Sequence, residues 1–279
     1  MPLIDLISEV SGNNGIVQAR YGLMLFNRHD RYIGRSIARY GEWCELELVL
    51  MKQLCRRGDV IVDAGANIGT HTLAFAQWVG AKGAVHAFEA QRLVYQMLCA
   101  NAALNDIAYI DAHALALAES HTELVIPRQR FDIEANLGGV SLTTAGVGDR
   151  IAARPLDDIL DPPGLRLLKI DVEGMERNVI NGARGLIGRF RPYLYIENDR
   201  VALSKALIEA VFALDYRLFW HAIPLFNPNN FAADPDNIFA GVVSLNMLGV
   251  HNSVDLTVEN LSEITDPAFH PWREKSGYT

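Results

Sequence analysis

From Asp59 onward the chain alternates short β-branched runs with amphipathic stretches, and an acidic residue closes one run after another. The strand candidates are 59–63, ending in Asp63; 84–88, followed by Glu89; 107–112; 165–170, running into Asp171; 193–196, followed by Glu197; 217–220, followed by His221; and 241–245. Helical periodicity fills 70–79, 92–103, 173–186 and 203–214. Strands separated by helices imply right-handed crossover units, hence an α/β fold with a mostly parallel sheet covered on both faces. Parallel strands present their carboxyl ends on one edge, where ligands bind. Asp63, Glu89, Asp171, Glu197 and His221 are therefore expected on a single rim. One strand-end acid alone is more often a helix cap or turn former; four in step mark a site.

The first strand runs into Asp63-Ala-Gly65-Ala-Asn67-Ile-Gly69, a strand–turn–helix element. Gly65 permits a tight turn close to a ligand. The helix start at 68–71 offers free N–H groups to an anion. Asn67 stands where a dinucleotide fold places its middle glycine, and GxGxxG is absent, which argues against a pyrophosphate ligand. A ligand carrying a ribose and a carboxylate fits better. Glu89 closes the next strand, near the ~20-residue offset at which a carboxylate meets ribose hydroxyls.

Acidic residues outnumber basic ones, 33 to 25, for a net charge of −8. That balance disfavours nucleic acid as a partner, which needs clustered positive charge. Cys44, Cys55 and Cys99 show no CxxC spacing and fit a reducing compartment. The amino terminus MPLIDLISEV lacks the basic region of a secretory leader, and no apolar run reaches the ~18 residues of a membrane span. A cytoplasmic enzyme acting on small molecules is expected. Residues 42–54 are predicted as an amphipathic helix, and Arg31, Arg35 and Arg39 as a solvated basic face. A strand is expected at 123–126. The Gly/Thr-rich stretch 137–149 is expected as a lid or insertion, and 222–239, with three phenylalanines, as a flap or a plain surface loop.

IVDAGANIGTHTL, then VHAFEA, LNDIAYIDAHALAL, LLKIDVEGMERNVINGA and LYIEND together resemble the FkbM family of S-adenosylmethionine-dependent methyltransferases. The likeness spans about residues 40–250, with RYGEWCELE, FNPNNF and SLNMLG at its ends. It implies a Rossmann-like class I sheet of seven strands whose last, antiparallel strand is 241–245. It also implies methyl transfer from S-adenosylmethionine, usually to a hydroxyl of a glycan or secondary metabolite. By resemblance Asp63, Gly65, Asn67 and Gly69 surround the methionine part, Asp171 adjoins it, Glu89 holds the ribose, and Asp111 with His113-Ala114 lies by the adenine. Residues 40–43 close over the cofactor. Ala90 replaces a common proline after the ribose acid. Residues 1–57 then form an extension with the covering helix, 58–250 the methyltransferase domain and 251–279 a tail.

A hydroxyl acceptor needs a base. His221 is favoured because its ordinary pKa lies near neutrality, with Glu197 and Asp171 as competitors. Asp171, Glu197 and His221 also form a candidate ligand set for a divalent cation, although metal-free transfer is preferred. Phe226, Asn230, Phe231 and Trp220 are candidates to hold a sugar acceptor. Two rivals remain: a nicotinamide-dependent oxidoreductase, and a catalytically silent domain that binds cofactor or a partner protein. Oligomeric state is open.

Overall fold

A computed structural model describes residues 12–272. The amino-terminal stretch assessed above for a leader, and the last seven residues of the tail, lie outside them.

The chain opens with a hairpin, β1 (Asn14–Ala19) and β2 (Gly22–Asn27), then α1 (Ile33–Tyr40) and α2 (Glu45–Leu54). The crossover units follow: β3 (Val60–Ala64), α3 (Thr70–Val79), β4 (Ala84–Phe88), α4 (Arg92–Leu104) and β5 (Ile110–His113). Three short strands, β6 (Ala116–Leu117), β7 (Thr122–Ile126) and β8 (Asp149–Arg154), form a separate small sheet. Next come β9 (Leu167–Ile170), α5 (Glu176–Gly182), α6 (Arg184–Phe190), β10 (Tyr193–Glu197), α7 (Val201–Phe212), β11 (Tyr216–Pro224), β12 (Val243–His251) and the edge strand β13 (Ser262–Glu263).

The central sheet has eight strands in the order β13-β11-β12-β10-β9-β3-β4-β5. β12 is antiparallel to both neighbours and slots between β10 and β11. This is the Rossmann-like class I methyltransferase sheet of seven strands, with the two-residue β13 added at its edge. The late strand is 243–251 rather than 241–245, and turn residues precede it.

The parallel strands are apolar runs because both faces are covered. β9 is buried throughout, and one core joins Val62, Leu168, Ile170, Leu194 and Ile196 to Val179, Ile187, Leu207 and Ile208 of the helices behind. Adjacent strands end level: Ala64 pairs with Phe88 and Ile170, and Ile170 with Ile196. Gly65, Glu89, Asp171 and Glu197 consequently leave the sheet side by side.

The helix expected at 173–186 is two helices. Asp157 accepts hydrogen bonds from the N–H groups of Gly185 and Leu186 at 2.7 and 2.8 Å, giving α6 its own capped start. Before α5, Glu173 adopts left-handed dihedrals (φ 57) and Gly174 follows at φ 101. Glu176 accepts from the N–H groups of Val172 and Gly174, holding that loop from inside.

The amino-terminal hairpin is joined to the sheet layers by two asparagines of α4. Asn101 exchanges hydrogen bonds with the backbone of Leu25 and also donates to the Ile68 carbonyl, and Asn105 exchanges a pair with the backbone of Leu23. The expected flap packs on α1 and the residues flanking it: Phe239 meets Tyr32, Tyr40 and Trp43, and Phe226 meets Tyr40. Arg39 is not a free surface cation. It pairs with Asp234 and Asp236 of that segment, and Arg31 lies 3.3 Å from Glu134. At the other end Ile264 enters the core, and buried His270 donates from Nε2 to the Asn198 carbonyl at 3.1 Å. No helix among the described residues is long and apolar enough to cross a membrane. All three cysteines are free.

Candidate active site

A cavity of about 320 Å³ opens at the rim where the strand ends converge. Gly65, Asn67, Glu89, Asp171 and Glu197 all line it, as expected. Gly65 sits at φ 76, and a Cβ there would lie 1.7 Å from the Asp171 carbonyl oxygen, so only glycine lets β3 turn against β9. Asn67 is also left-handed, at φ 51, and its backbone N–H donates to Glu89 Oε2 at 2.9 Å. The Gln91 N–H donates to the other Glu89 oxygen at 2.7 Å. Glu89 is thus fixed at the cavity wall with lone pairs left for a diol. Burial pushes its pKa up to about 7, the two N–H donors notwithstanding.

Beneath the turn lies a group that the sequence reading missed. Lys169, in the middle of an apolar strand, is buried, 3.2 Å from Asp63 and 3.5 Å from Asp171, and it donates to the Gly65 carbonyl at 3.0 Å. Burial alone would lower its pKa; the two carboxylates more than offset this and hold it charged. Asp63 is wholly enclosed, takes a 2.7 Å hydrogen bond from Thr72, and does not line the cavity. Gly69 does not line it either; its missing Cβ makes room for Leu98 of α4.

On the far side of Asp171 an acidic cluster forms. One carboxylate oxygen each of Asp171, Glu173 and Glu197 lies within 4.8 Å of the others. Glu173 pairs with Arg200 at 2.6 Å. Burial, then the charge of Asp171, lifts Glu173 to about 7. Glu197 Oε2 is enclosed without a hydrogen-bond partner, and burial followed by the neighbouring carboxylates raises its pKa well above the usual range. The cluster is the arrangement of oxygen donors that a hard cation accepts, with Glu173 in the place expected for His221.

His221 is not at the rim. β11 runs on to Pro224, so His221 lies within the strand, opposite Asn246, and its Nδ1 sits 2.8 Å from the Tyr195 hydroxyl. It does not line the cavity.

A family model for the methyltransferase FkbM domain matches residues 63–218, more than half of the chain. The chain belongs to the FkbM methyltransferase family. The matched model describes a methyltransferase domain. Among solved structures it is similar to the methyltransferase FkbM from Methylobacillus flagellatus, at 22% identity and a TM-score of 0.45 over 68% of this chain. It spans 43% of that protein's length. It is similar also to a SAM-dependent O-methyltransferase from Thermotoga maritima (13% identity, TM-score 0.47, 88% of this chain and 80% of that one). A third likeness is to Aeropyrum pernix fibrillarin in complex with natively bound S-adenosyl-L-methionine (14%, 0.45, 85% and 94%). No protein of curated function matches the chain in sequence.

In this FkbM chain the remaining cavity wall comes from segments that the sequence reading placed less well. Leu115, Ala116 and Leu117 line it, whereas Asp111 does not and His113 instead stacks on Phe88 at 4.4 Å. The 137–149 stretch supplies Gly138, Gly139, Val140 and Leu142. Of the two flanking elements, Tyr32, Ile33, Trp43, Cys44 and Glu47 reach the cavity, but Tyr40 does not. Phe226, Asn230, Phe231 and Trp220 stand outside it as well: Trp220 fills the core beside His270, and Asn230 braces its own loop.

Proposed function

We infer that the chain transfers a methyl group from S-adenosylmethionine to a hydroxyl of a small-molecule or glycan acceptor, in a cytoplasmic, reducing setting that suits its free cysteines. The observation that carries this reading is the meeting, around one cavity, of a fixed carboxylate at the ribose position, a glycine turn and a proton-hungry carboxylate at the far wall. When bound, the cofactor supplies an electrophilic methyl group on a good leaving group. Glu89 offers its free lone pairs to the ribose hydroxyls. Asn67, Gly65 and the start of α3 shape the floor, and Lys169 keeps that floor attached to β9. Ala116 and Leu117 give an apolar slot for a base.

The protein's chemical task is to orient the acceptor and remove its proton. Glu197 is the base in this reading, with Asp171 beside it, because a carboxylate whose proton affinity is raised by burial and acidic neighbours accepts a proton from an acceptor more readily than an ordinary one. His221 acts only through Tyr195. Four carboxylates (Asp171, Glu173, Glu197, Asp199) on the acceptor side disfavour a polyanionic nucleic acid. Tyr32, Trp43 and Leu225 give that side a partly apolar wall. Methyl transfer proceeds here without a metal, so chelator treatment is expected to leave activity intact; loss of activity restored by magnesium would make the acidic cluster a cation site instead. A nicotinamide cofactor is disfavoured by Asn67, which stands where close approach of a pyrophosphate demands glycine.

The test is equilibrium binding of S-adenosylmethionine and of NADH to the wild type and to Glu89→Ala, followed by methyl-transfer assays on hydroxyl and amine acceptors. Tight S-adenosylmethionine binding, weakened tenfold or more in the variant, supports the placement. Unchanged binding in the variant, or preference for NADH, overturns it.

A further inference from the structure

The segment after β12 lies outside the matched family model, yet it sends one side chain, His270, back to the strand end that carries Glu197. His270 is 1% exposed, and its ring meets Trp220 and Trp272 edge to face, with centroids 5.5 and 5.9 Å away. The Trp272 N–H donates to Nδ1 at 3.2 Å, which leaves the proton on Nε2, and Nε2 donates to the Asn198 carbonyl. Ring orientation and tautomer are therefore both set.

Asn198 stands between Glu197 and Asp199, which both line the cavity, and is itself buried. Its N–H donates to the Leu245 carbonyl at 2.9 Å. Its side-chain amide donates to Ser204 Oγ at 2.9 Å and to Met247 Sδ at 3.1 Å. Those bonds fasten the residue to β12 and α7. Its carbonyl belongs to the next peptide unit, which leads into Asp199 and Arg200, and His270 is the partner there. Arg200 in turn grips Glu173 at 2.6 Å. A buried carbonyl deprived of its donor turns to find another. Turning this peptide plane swings Asp199 and Arg200 together and disturbs Glu197 just before it. The turn under the cofactor reading is held separately, since Gly65, Asn67 and Glu89 have bonds of their own.

We propose that His270 is a positioning residue for the acceptor wall: by holding the Asn198 carbonyl it fixes Glu197, Asp199 and, through Arg200, Glu173 around the point where the methyl group is handed over. The proposal rests on the reading of this rim as the acceptor side and adds to it a residue from beyond the matched domain. The carboxyl-terminal segment is then part of the catalytic apparatus.

Calorimetric titration with two probes tests this without an acceptor. S-adenosylhomocysteine ends at the sulfur; sinefungin has the same skeleton with a protonated amine, borne on carbon, where the transferable methyl stands. Wild type is expected to bind sinefungin at least tenfold more tightly, because its amine meets the acceptor-side carboxylates. His270→Phe keeps a ring between the tryptophans but has no donor. It is expected to bring the preference down to threefold or less, with S-adenosylhomocysteine affinity within twofold of wild type, which also certifies that the variant is folded. His270→Gln, whose amide donates from a similar reach, is expected to restore the preference. An intact preference in His270→Phe, equal losses for both probes, or no rescue by His270→Gln overturns the positioning role while sparing the cofactor reading. Wild-type binding of both probes with equal affinity overturns the acceptor wall and His270 with it; binding of neither overturns the cofactor reading as well.

Discussion

At the scale of the residue, the decisive side chains are those whose charge is set by their surroundings. Glu89 has its pKa lifted to about 7, so in the free protein it changes protonation near neutrality. Ribose hydroxyls donate best to the ionised form. Affinity for S-adenosylhomocysteine is therefore expected to rise as pH increases from 6 to 8, and Glu89→Gln is expected to flatten that rise in a titration series. Glu197 leads to a second expectation. Because burial and its acidic neighbours raise its pKa, the methyl-transfer rate is expected to climb with pH as the proton leaves. Glu197→Gln is expected to lower kcat by about 10²–10⁴-fold with S-adenosylhomocysteine affinity unchanged. An equal loss of affinity would assign Glu197 to the cofactor instead. Lys169 belongs to structure. Replacing it with methionine leaves Asp63 buried without its counter-ion, at a cost of about 3–5 kcal/mol. Chemical denaturation of Lys169→Met, Asp63→Asn and the double variant measures this, and the double variant is expected to recover much of the loss.

At the scale of the element, the strand–turn–helix unit shows what a sequence discloses and what it hides. The apolar runs and the acids that close them placed β3, β4, β9 and β10 and their shared edge, because strand period and strand direction are local properties that one stretch of chain reveals. The late strand was read from its apolar run, with its start two residues early, and only its antiparallel direction came from family resemblance. Position along a strand was harder to judge. His221 looked terminal because Trp220 ends an aromatic run, but pairing with β12 continues β11 three residues further. The split between α5 and α6 depends on Asp157, far away in sequence, and periodicity carries no trace of it. His270 read only as part of a tail, since the strand end it holds lies far away in sequence. Lys169 was visible, a cation inside Leu-Leu-Lys-Ile, and its burial there called for paired acids on neighbouring strand ends. Gly65 is the element's most sensitive position. Gly65→Ala combines a left-handed backbone with a 1.7 Å clash against the Asp171 carbonyl. Loss of about 3 kcal/mol or more is expected by thermal melting, with cofactor binding abolished in whatever remains folded.

At the scale of the molecule, segments outside the crossover units complete the layers. The amino-terminal hairpin is bonded to α4, and α1 and α2 carry cavity residues. The carboxyl-terminal segment closes the opposite edge: Ile264 joins the core, and buried His270 packs against Trp220 and Trp272. Removal of residues 259–279 is expected to destabilise the protein by roughly 3 kcal/mol or more, the worth of one buried aliphatic side chain and its neighbours. Guanidinium denaturation of the truncated chain reads this directly, and an unchanged midpoint would show that the segment is ornamental.

The ammonium of Lys169 spans two adjacent strand termini and grips the bend between them from below. A loop fastened in this way has few alternative conformations to give up when a ligand arrives, so little ordering entropy opposes binding. Association should be fast and rigid-body in character, with the adaptable work left to the 137–149 stretch overhead.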